Sequence, residues 1–471
     1  MHQYCISKQS SLIGHRLHSG YNMKKRSRII TALFFACFMT SSHALDLSEA
    51  MDLAMQYDTT LQASYANYLA LAEASSQTTA AVLPQIGFNA HIIRGNRETE
   101  RTTGTFDADT NSDGYSLNLN QVIFDKSVFD SLDEGDAIVA KALADFEAAK
   151  QDTVVRLASA YFDVLTAIDT LETASAEKKA IGKQLEQSKE RFNVGLSAIT
   201  DVKEQQASYD IAVADEIIAT NNVSNTREAL RFIINKYPED LEVAREDMPL
   251  VIPEPMDIDA WQEKSLQTNF SLLAAKYSID AAQSAYDGSK GGHYPTLGLN
   301  ASYGFESNDD TSFLGVPVDA RDDTDTRIML NLDIPIYSGG FTSSTVRQKL
   351  AELDAAKALH EQEKRRTIGL SRSSYLSLEA DISNVKARKQ AIVSTQTSLD
   401  ATLAGYDAGT RTSVDVLLSQ RQLYSSQRDY SVARYTYLTN SLKLKQVAGT
   451  LTLNDIDDIN KWLIPKPASV K

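Results

Sequence analysis

Ile86, Phe88, Ala90 and Ile92 alternate with Gln85, Gly87, Asn89 and His91. Further along, Tyr115, Leu117 and Leu119 alternate with Ser116, Asn118 and Asn120. A period of two gives a strand one apolar and one wet face, so strands are predicted over about 85–94 and 115–124. The pattern returns at Leu297, Leu299, Ala301, Tyr303 and Phe305, and again at Ile328, Leu330, Leu332, Ile334 and Ile336. It predicts strands over about 295–305 and 326–337. The stretches between, Arg94 to Gly114 and Glu306 to Thr326, are rich in Thr, Asn, Gly and Asp and read as long loops. Elsewhere the period lengthens. Leu378, Val385, Ile392 and Leu399 recur every seven residues, with Tyr375 and Ile382 on the neighbouring seam, which is coiled-coil spacing. Val164, Leu171 and Leu185 answer earlier in the chain, with Lys178 interrupting the row. A helix from Phe341 to about Leu403 is about 95 Å long at ~1.5 Å per residue.

These elements occur twice. Pro84 and Pro295 are 211 positions apart, Phe124 and Tyr337 are 213 apart, and Tyr161/Tyr375, Ile168/Ile382 and Gly195/Gly409 are each 214 apart. The chain reads as a duplication, each copy running helix, strand, loop, strand, then a long helical hairpin. The first copy is placed at 45–236, with its hairpin tip at about 195–201. The second is placed at 261–448, with its tip at about 405–415. Pro238, Pro249, Pro253 and Pro255, set among acidic residues, mark a linker over 237–260, and 449–471 reads as an irregular, partly mobile tail.

Four strands per chain suit either a soluble sheet on a helix or a membrane barrel. The lack of any compact partner for them favours the barrel. Four strands cannot close one alone, and lipid tolerates no open edges, so several subunits must contribute.

Charge and targeting narrow the class. Met23 to Arg28 is basic, Ile29 to Met39 is apolar, and Ser42-His-Ala44 is small: the three zones of an export signal, expected to be cleaved after Ala44. Residues 1–22 read as an upstream extension. The segment 1–44 holds six Lys/Arg, no Asp/Glu and both cysteines, so its loss takes the net charge from −15 to −21. Such acidity argues against nucleic acid as a partner, and a thiol-free chain has no disulfide framework or thiolate metal site. His91, His293 and His360 are the only histidines beyond the signal and lack metal-site spacing. No phosphate loop or nucleophile elbow occurs. No cofactor and no enzyme activity are expected.

Two matching stretches remain, Arg191-Phe-Asn-Val-Gly-Leu-Ser-Ala-Ile-Thr-Asp-Val202 and Gly405-Tyr-Asp-Ala-Gly-Thr-Arg-Thr-Ser-Val-Asp-Val416. Read alone, they are helix starts: Thr412 or Ser413 caps the second helix with Asp415 in its first turn, and Asp201 serves likewise in the first copy. Together with Leu83-Pro-Gln85 and Ile334-Pro-Ile-Tyr-Ser-Gly-Gly340, they resemble the TolC family of outer-membrane efflux proteins over residues 45–450.

The resemblance implies a mainly α protein with membrane β structure. Three chains would form a 12-stranded outer-membrane β-barrel, four strands from each, continued by a long helical tunnel through the periplasm of a Gram-negative bacterium. It implies a passive exit duct for efflux or type I secretion, opened at its periplasmic tip by an adaptor and an inner-membrane RND or ABC transporter. Gly195 and Gly409 match the tip turns, and Tyr406, Arg411, Thr200 and Asp201 match a gate latch. Asp415 matches an acidic constriction ring. Leu418 departs from the family pattern, which has a second aspartate there, and is expected to weaken cation block. A duct dedicated to one substrate class, and an exported coiled-coil protein without a pore, stand as alternatives.

Overall fold

A computed structural model describes residues 44–465, apart from residues 103, 246, 314 and 315; the expected signal segment lies outside the described residues except for Ala44. The first copy begins with α1 (Leu47–Tyr57) and α2 (Thr59–Val82). Strands β1 (Gln85–Arg101) and β2 (Gly104–Phe124) follow, and then α3 (Lys126–Asn193) and α4 (Ile199–Ile234). After the short β3 (Val243–Ala244), the second copy repeats the plan with α5 (Ile258–Thr268), α6 (Phe270–Lys290) and β4 (Thr296–Asn308). A small hairpin, β5 (Thr311–Phe313) and β6 (Val316–Val318), leads to β7 (Arg321–Asp333), α7 (Phe341–Asp407) and α8 (Ser413–Val447). The chain ends in α9 (Leu453–Asn460) and β8 (Leu463–Ile464). Even the breaks repeat: Asp58 caps α2 by accepting the Thr60 N–H, and Asn269, 211 residues later, caps α6 by accepting that of Leu272.

The four long strands form one antiparallel sheet in the order β1-β2-β4-β7, leaving β1 and β7 as edges. Register lines up Ile86, Leu119, Ala301 and Ile328 across one face, and Gly87, Asn118, Ser302 and Arg327 across the other. The apolar face has no core beneath it: Ile86 is 69% exposed, Ile92 75% and Ile328 76%. On it Tyr115 stacks between Phe88 and Phe305, with centroid distances of 6.3 and 5.6 Å. A sheet that turns Ile, Leu and Phe outward in water is unstable, and the same sheet in lipid is not.

Three expectations change in detail. The stretch expected to loop between 94 and 114 is mostly strand, paired up to Arg101 and Gly104. The sequence there is mostly polar, so no hydrophobic period marks it, yet an antiparallel ladder needs only backbone groups. Arg94 strengthens it by donating to both oxygens of Asp113 at 2.8 and 3.1 Å. In the second copy, pairing runs from Thr296 to Asn308 and from Arg321 to Asp333. Residues 334–337 fall outside β7, because Pro335 has no N–H to donate. The tail is folded as far as it is described. Thr452 and Asp455 form a capping box at the start of α9, Ile456 and Leu463 are buried, and β8 pairs with β3. Asn460 and Asp457 accept from the Leu47 N–H and the Ser48 hydroxyl, tying the end of the chain to its first helix.

The core sits where the two copies meet. Leu47, Leu157, Tyr161, Phe162, Leu165, Leu230 and Ile234 of the first copy pack with Leu378, Tyr435, Leu438, Leu442 and Leu444 of the second. Each such fully buried aliphatic side chain contributes about 1.5–3 kcal/mol. Tyr161 Oη lies 2.9 and 3.0 Å from the carbonyls of Leu45 and Glu242, satisfying the one polar atom its burial would otherwise orphan. Towards the hairpin tips Ile181, Ala212 and Leu417 form a separate small cluster. The interrupting Lys178 of α3 pairs with Glu216 of α4.

Candidate functional site

Both hairpins turn by the same device. Gly195 has φ +77° and Gly409 φ +73°, a region closed to most side chains. Gly195 N–H donates to the Phe192 carbonyl at 2.9 Å and Leu196 N–H to that of Arg191 at 2.8 Å. In the second copy Gly409 N–H donates to Tyr406 at 3.0 Å and Thr410 N–H to Gly405 at 2.8 Å. Each is the paired helix-end motif in which a left-handed glycine satisfies the last carbonyls.

Beyond the turns the copies diverge. The Thr412 hydroxyl accepts the Asp415 N–H at 3.3 Å, while Asp415 Oδ2 accepts the Thr412 N–H at 2.8 Å and its hydroxyl at 2.9 Å, a capping box. These bonds hold the Asp415 carboxyl below its ordinary pKa, with a smaller pull from Arg411. The first copy lacks the expected counterpart. Ala198 stands at the start of α4 without a side-chain cap, and Asp201 lies in the first turn without closing one.

The latch candidates gather at this level but do not bond to one another within the chain. Among the described residues of one chain, no hydrogen bond or ion pair joins Tyr406 or Arg411 to Thr200 or Asp201. Arg411 is exposed, with its stem folded over Gly405; a Cβ there would meet Arg411 Cγ at 2.7 Å. Thr200 is exposed and Asp201 half-buried, and Leu418 is 59% exposed. Tyr406 is engaged instead by Arg191, whose guanidinium carbon lies 5.1 Å from the ring centroid. Sequence reasoning had no means of singling out Arg191, because the matching position 214 residues on is Gly405 and the period is silent about contacts between hairpins. It also missed a buried polar group at this end of the coils. Gln184 Nε2, Ser188 Oγ, both amide atoms of Gln205 and Gln420 Oε1 are enclosed without hydrogen-bond partners.

No described helix is long and apolar enough to cross a membrane. The elements with a lipid-type face are the four strands, from which two long helical hairpins extend. Residues 50–236 and 261–450 match the family described as "Outer membrane efflux protein".

The chain belongs to that family.

This efflux protein is 36% identical over 459 residues to outer membrane protein TolC of Escherichia coli strain K12, covering 95% of this chain and 90% of the relative. It is 28% identical over 443 residues to the alkaline protease secretion protein AprF of Pseudomonas aeruginosa, covering 91% of this chain and 90% of the relative. In fold it is similar to the CmeC outer membrane channel of Campylobacter jejuni, with a TM-score of 0.72 at 16% identity, over 89% of this chain and 90% of that one. The efflux protein is thus an outer-membrane exit channel built from barrel strands and a helical tunnel, in a family of channels rather than of enzymes.

Proposed function

We propose that three copies of this chain close a single barrel of twelve strands in outer-membrane lipid, and that the six hairpin tips form a periplasmic gate. The supporting observation is a four-stranded sheet with an apolar outer face and two unpaired edges, β1 and β7, continuous with helices of 68 and 67 residues. Such edges are tolerated in lipid only when another subunit pairs them. The duct catalyses nothing and binds no nucleic acid. An inner-membrane RND or ABC transporter supplies energy through a periplasmic adaptor that docks on the turns at Gly195 and Gly409. Efflux and protein secretion both agree with the names of its relatives.

In this reading Arg411 and Tyr406 of the inner hairpin reach Thr200 and Asp201 of the outer hairpin, partly across subunits, as a latch of charge-assisted bonds. Asp415, repeated three times, makes a ring that favours cations. Leu418, one turn further, replaces a second acidic ring with an apolar one. Single-channel recording in a planar bilayer tests the proposal with wild type, Arg411→Ser and Asp415→Asn. Small cation-favouring currents that grow with the first substitution and lose selectivity with the second support it. A folded, membrane-inserted trimer that carries no current overturns it.

A further inference from the structure

We infer that Arg191 is a positioning residue of the gate: its guanidinium, seated on the Tyr406 ring, ties the end of α3 to the end of α7 and so holds the two hairpins of one chain together. The inference rests on the gate reading above and adds to it a contact made within the chain, by a residue outside the latch candidates.

Both partners stand on clamped backbone. The Arg191 carbonyl accepts the Leu196 N–H at 2.8 Å and the Tyr406 carbonyl accepts the Gly409 N–H at 3.0 Å, so each is held in the last turn of its helix by the glycine motif. Between them the guanidinium carbon lies 5.1 Å from the ring centroid, within the ~6 Å reach of a cation–π contact. Arg191 is half-buried, and its Nε is enclosed with no hydrogen-bond partner. Hydrogen bonding at Nε therefore does not explain the seat of the side chain, and the ring face does. A planar guanidinium stacks on such a face, whereas a lysine offers only a point charge.

Buried polar groups behind this contact lack partners. One and two turns back along α3, Ser188 Oγ and Gln184 Nε2 are enclosed without partners, as is the whole amide of Gln205 on α4. The apolar cluster at Ile181, Ala212 and Leu417 lies back along α3 by about 15 Å at ~1.5 Å per residue. Parting the hairpin ends breaks the Arg191–Tyr406 contact, so losing the contact favours the parted arrangement.

The test is a double-substitution cycle on single-channel conductance in planar bilayers, using full-length trimers of unchanged heat-stable migration. Arg191→Leu and Tyr406→Leu are each expected to raise mean conductance at least twofold, the double variant no further than the larger single, and Arg191→Lys to fall between wild type and Arg191→Leu. Should Arg191→Leu not assemble, Arg191→Gln carries the same expectation. Unchanged conductance in the Arg191 variants, or single effects that multiply in the double variant, overturns the inference. Arg411→Ser in the same series separates the two readings. If it enlarges the current and Arg191→Leu does not, only the role of Arg191 falls. If Arg411→Ser leaves the current unchanged and Asp415→Asn leaves the cation selectivity unchanged while the Arg191–Tyr406 cycle is non-additive, the latch and ring assignments fall and the contact stands.

Discussion

Thr412 and Asp415 hold one another at the start of α8: the hydroxyl of the first accepts the N–H of the second, and one carboxylate oxygen of the second accepts both polar hydrogens of the first. The candidate ring charge is thus also a structural cap. Asp415→Asn keeps an oxygen acceptor and removes the charge, whereas Thr412→Ala keeps the charge and removes the cap. We expect Asp415→Asn to abolish cation preference with little change in melting. Thr412→Ala should cost about 1 kcal/mol at the helix start and preserve selectivity. Reversal potentials and thermal melts of the two variants check this.

Leu418 stands one helical turn beyond Asp415 and is 59% exposed. Leu418→Asp places a second carboxylate ring beside the first. Block by multivalent cations is expected to tighten by about tenfold or more, equivalent to ~1.4 kcal/mol, and is read as the half-blocking concentration in bilayer recordings. Equal block in wild type and variant counts against a ring at this level.

The tip turns depend on left-handed glycines. Gly195→Ala and Gly409→Ala force a Cβ into φ of +77° and +73°, at about 1–2 kcal/mol each. Faster hydrogen exchange confined to the last turns of α3 and α7 is the expected signature, with the core residues near Tyr161 unaffected.

Glu177 carries a pH dependence whose sign can be worked out. Burial raises its pKa, opposed by Arg421, reinforced by Asp215 and opposed again by Arg428. A carboxyl with a folded pKa above its unfolded value opposes folding when ionised, so its penalty is full above the folded pKa. The penalty fades as pH falls through the folded pKa towards the unfolded value. Glu177→Gln should therefore raise the melting temperature at pH of about 7 and change it little at about 4, near the unperturbed value for Glu. A gain independent of pH would show that desolvation of this carboxylate is not the cause.

Asp58 is 1% exposed, caps α2 and pairs with Arg156, with Thr153 also donating to it. Asp58→Ala leaves the Arg156 guanidinium with its bonds to Thr60 and Thr153 but without a counter-ion, and uncaps the helix start, with an expected loss of about 2–3 kcal/mol. Asp58→Asn, which retains the cap, should lose less. Denaturant unfolding of the trimer followed by circular dichroism distinguishes them.

What the chain determines by itself is what repeats along it. Two periods, near two and near seven, mark strands and coils because each places side chains on one face regardless of what packs there. The 211–214 offset exposes the duplication for the same reason. The turn glycines were legible because a backbone position at positive φ selects its residue type locally. Strand length beyond residue 94 was not, since a ladder of backbone bonds leaves no mark in a mostly polar sequence. Nor was the folding of the tail, which depends on Leu47 and Ser48 more than 400 positions away. At the hairpin tips, Gly195, Gly409 and the Thr412–Asp415 cap could be read in line. The seating of Arg191 on Tyr406 and the enclosure of Gln184, Ser188 and Gln205 were decided only when two separate hairpins came side by side, because contact between distant segments follows from packing and not from any period within either.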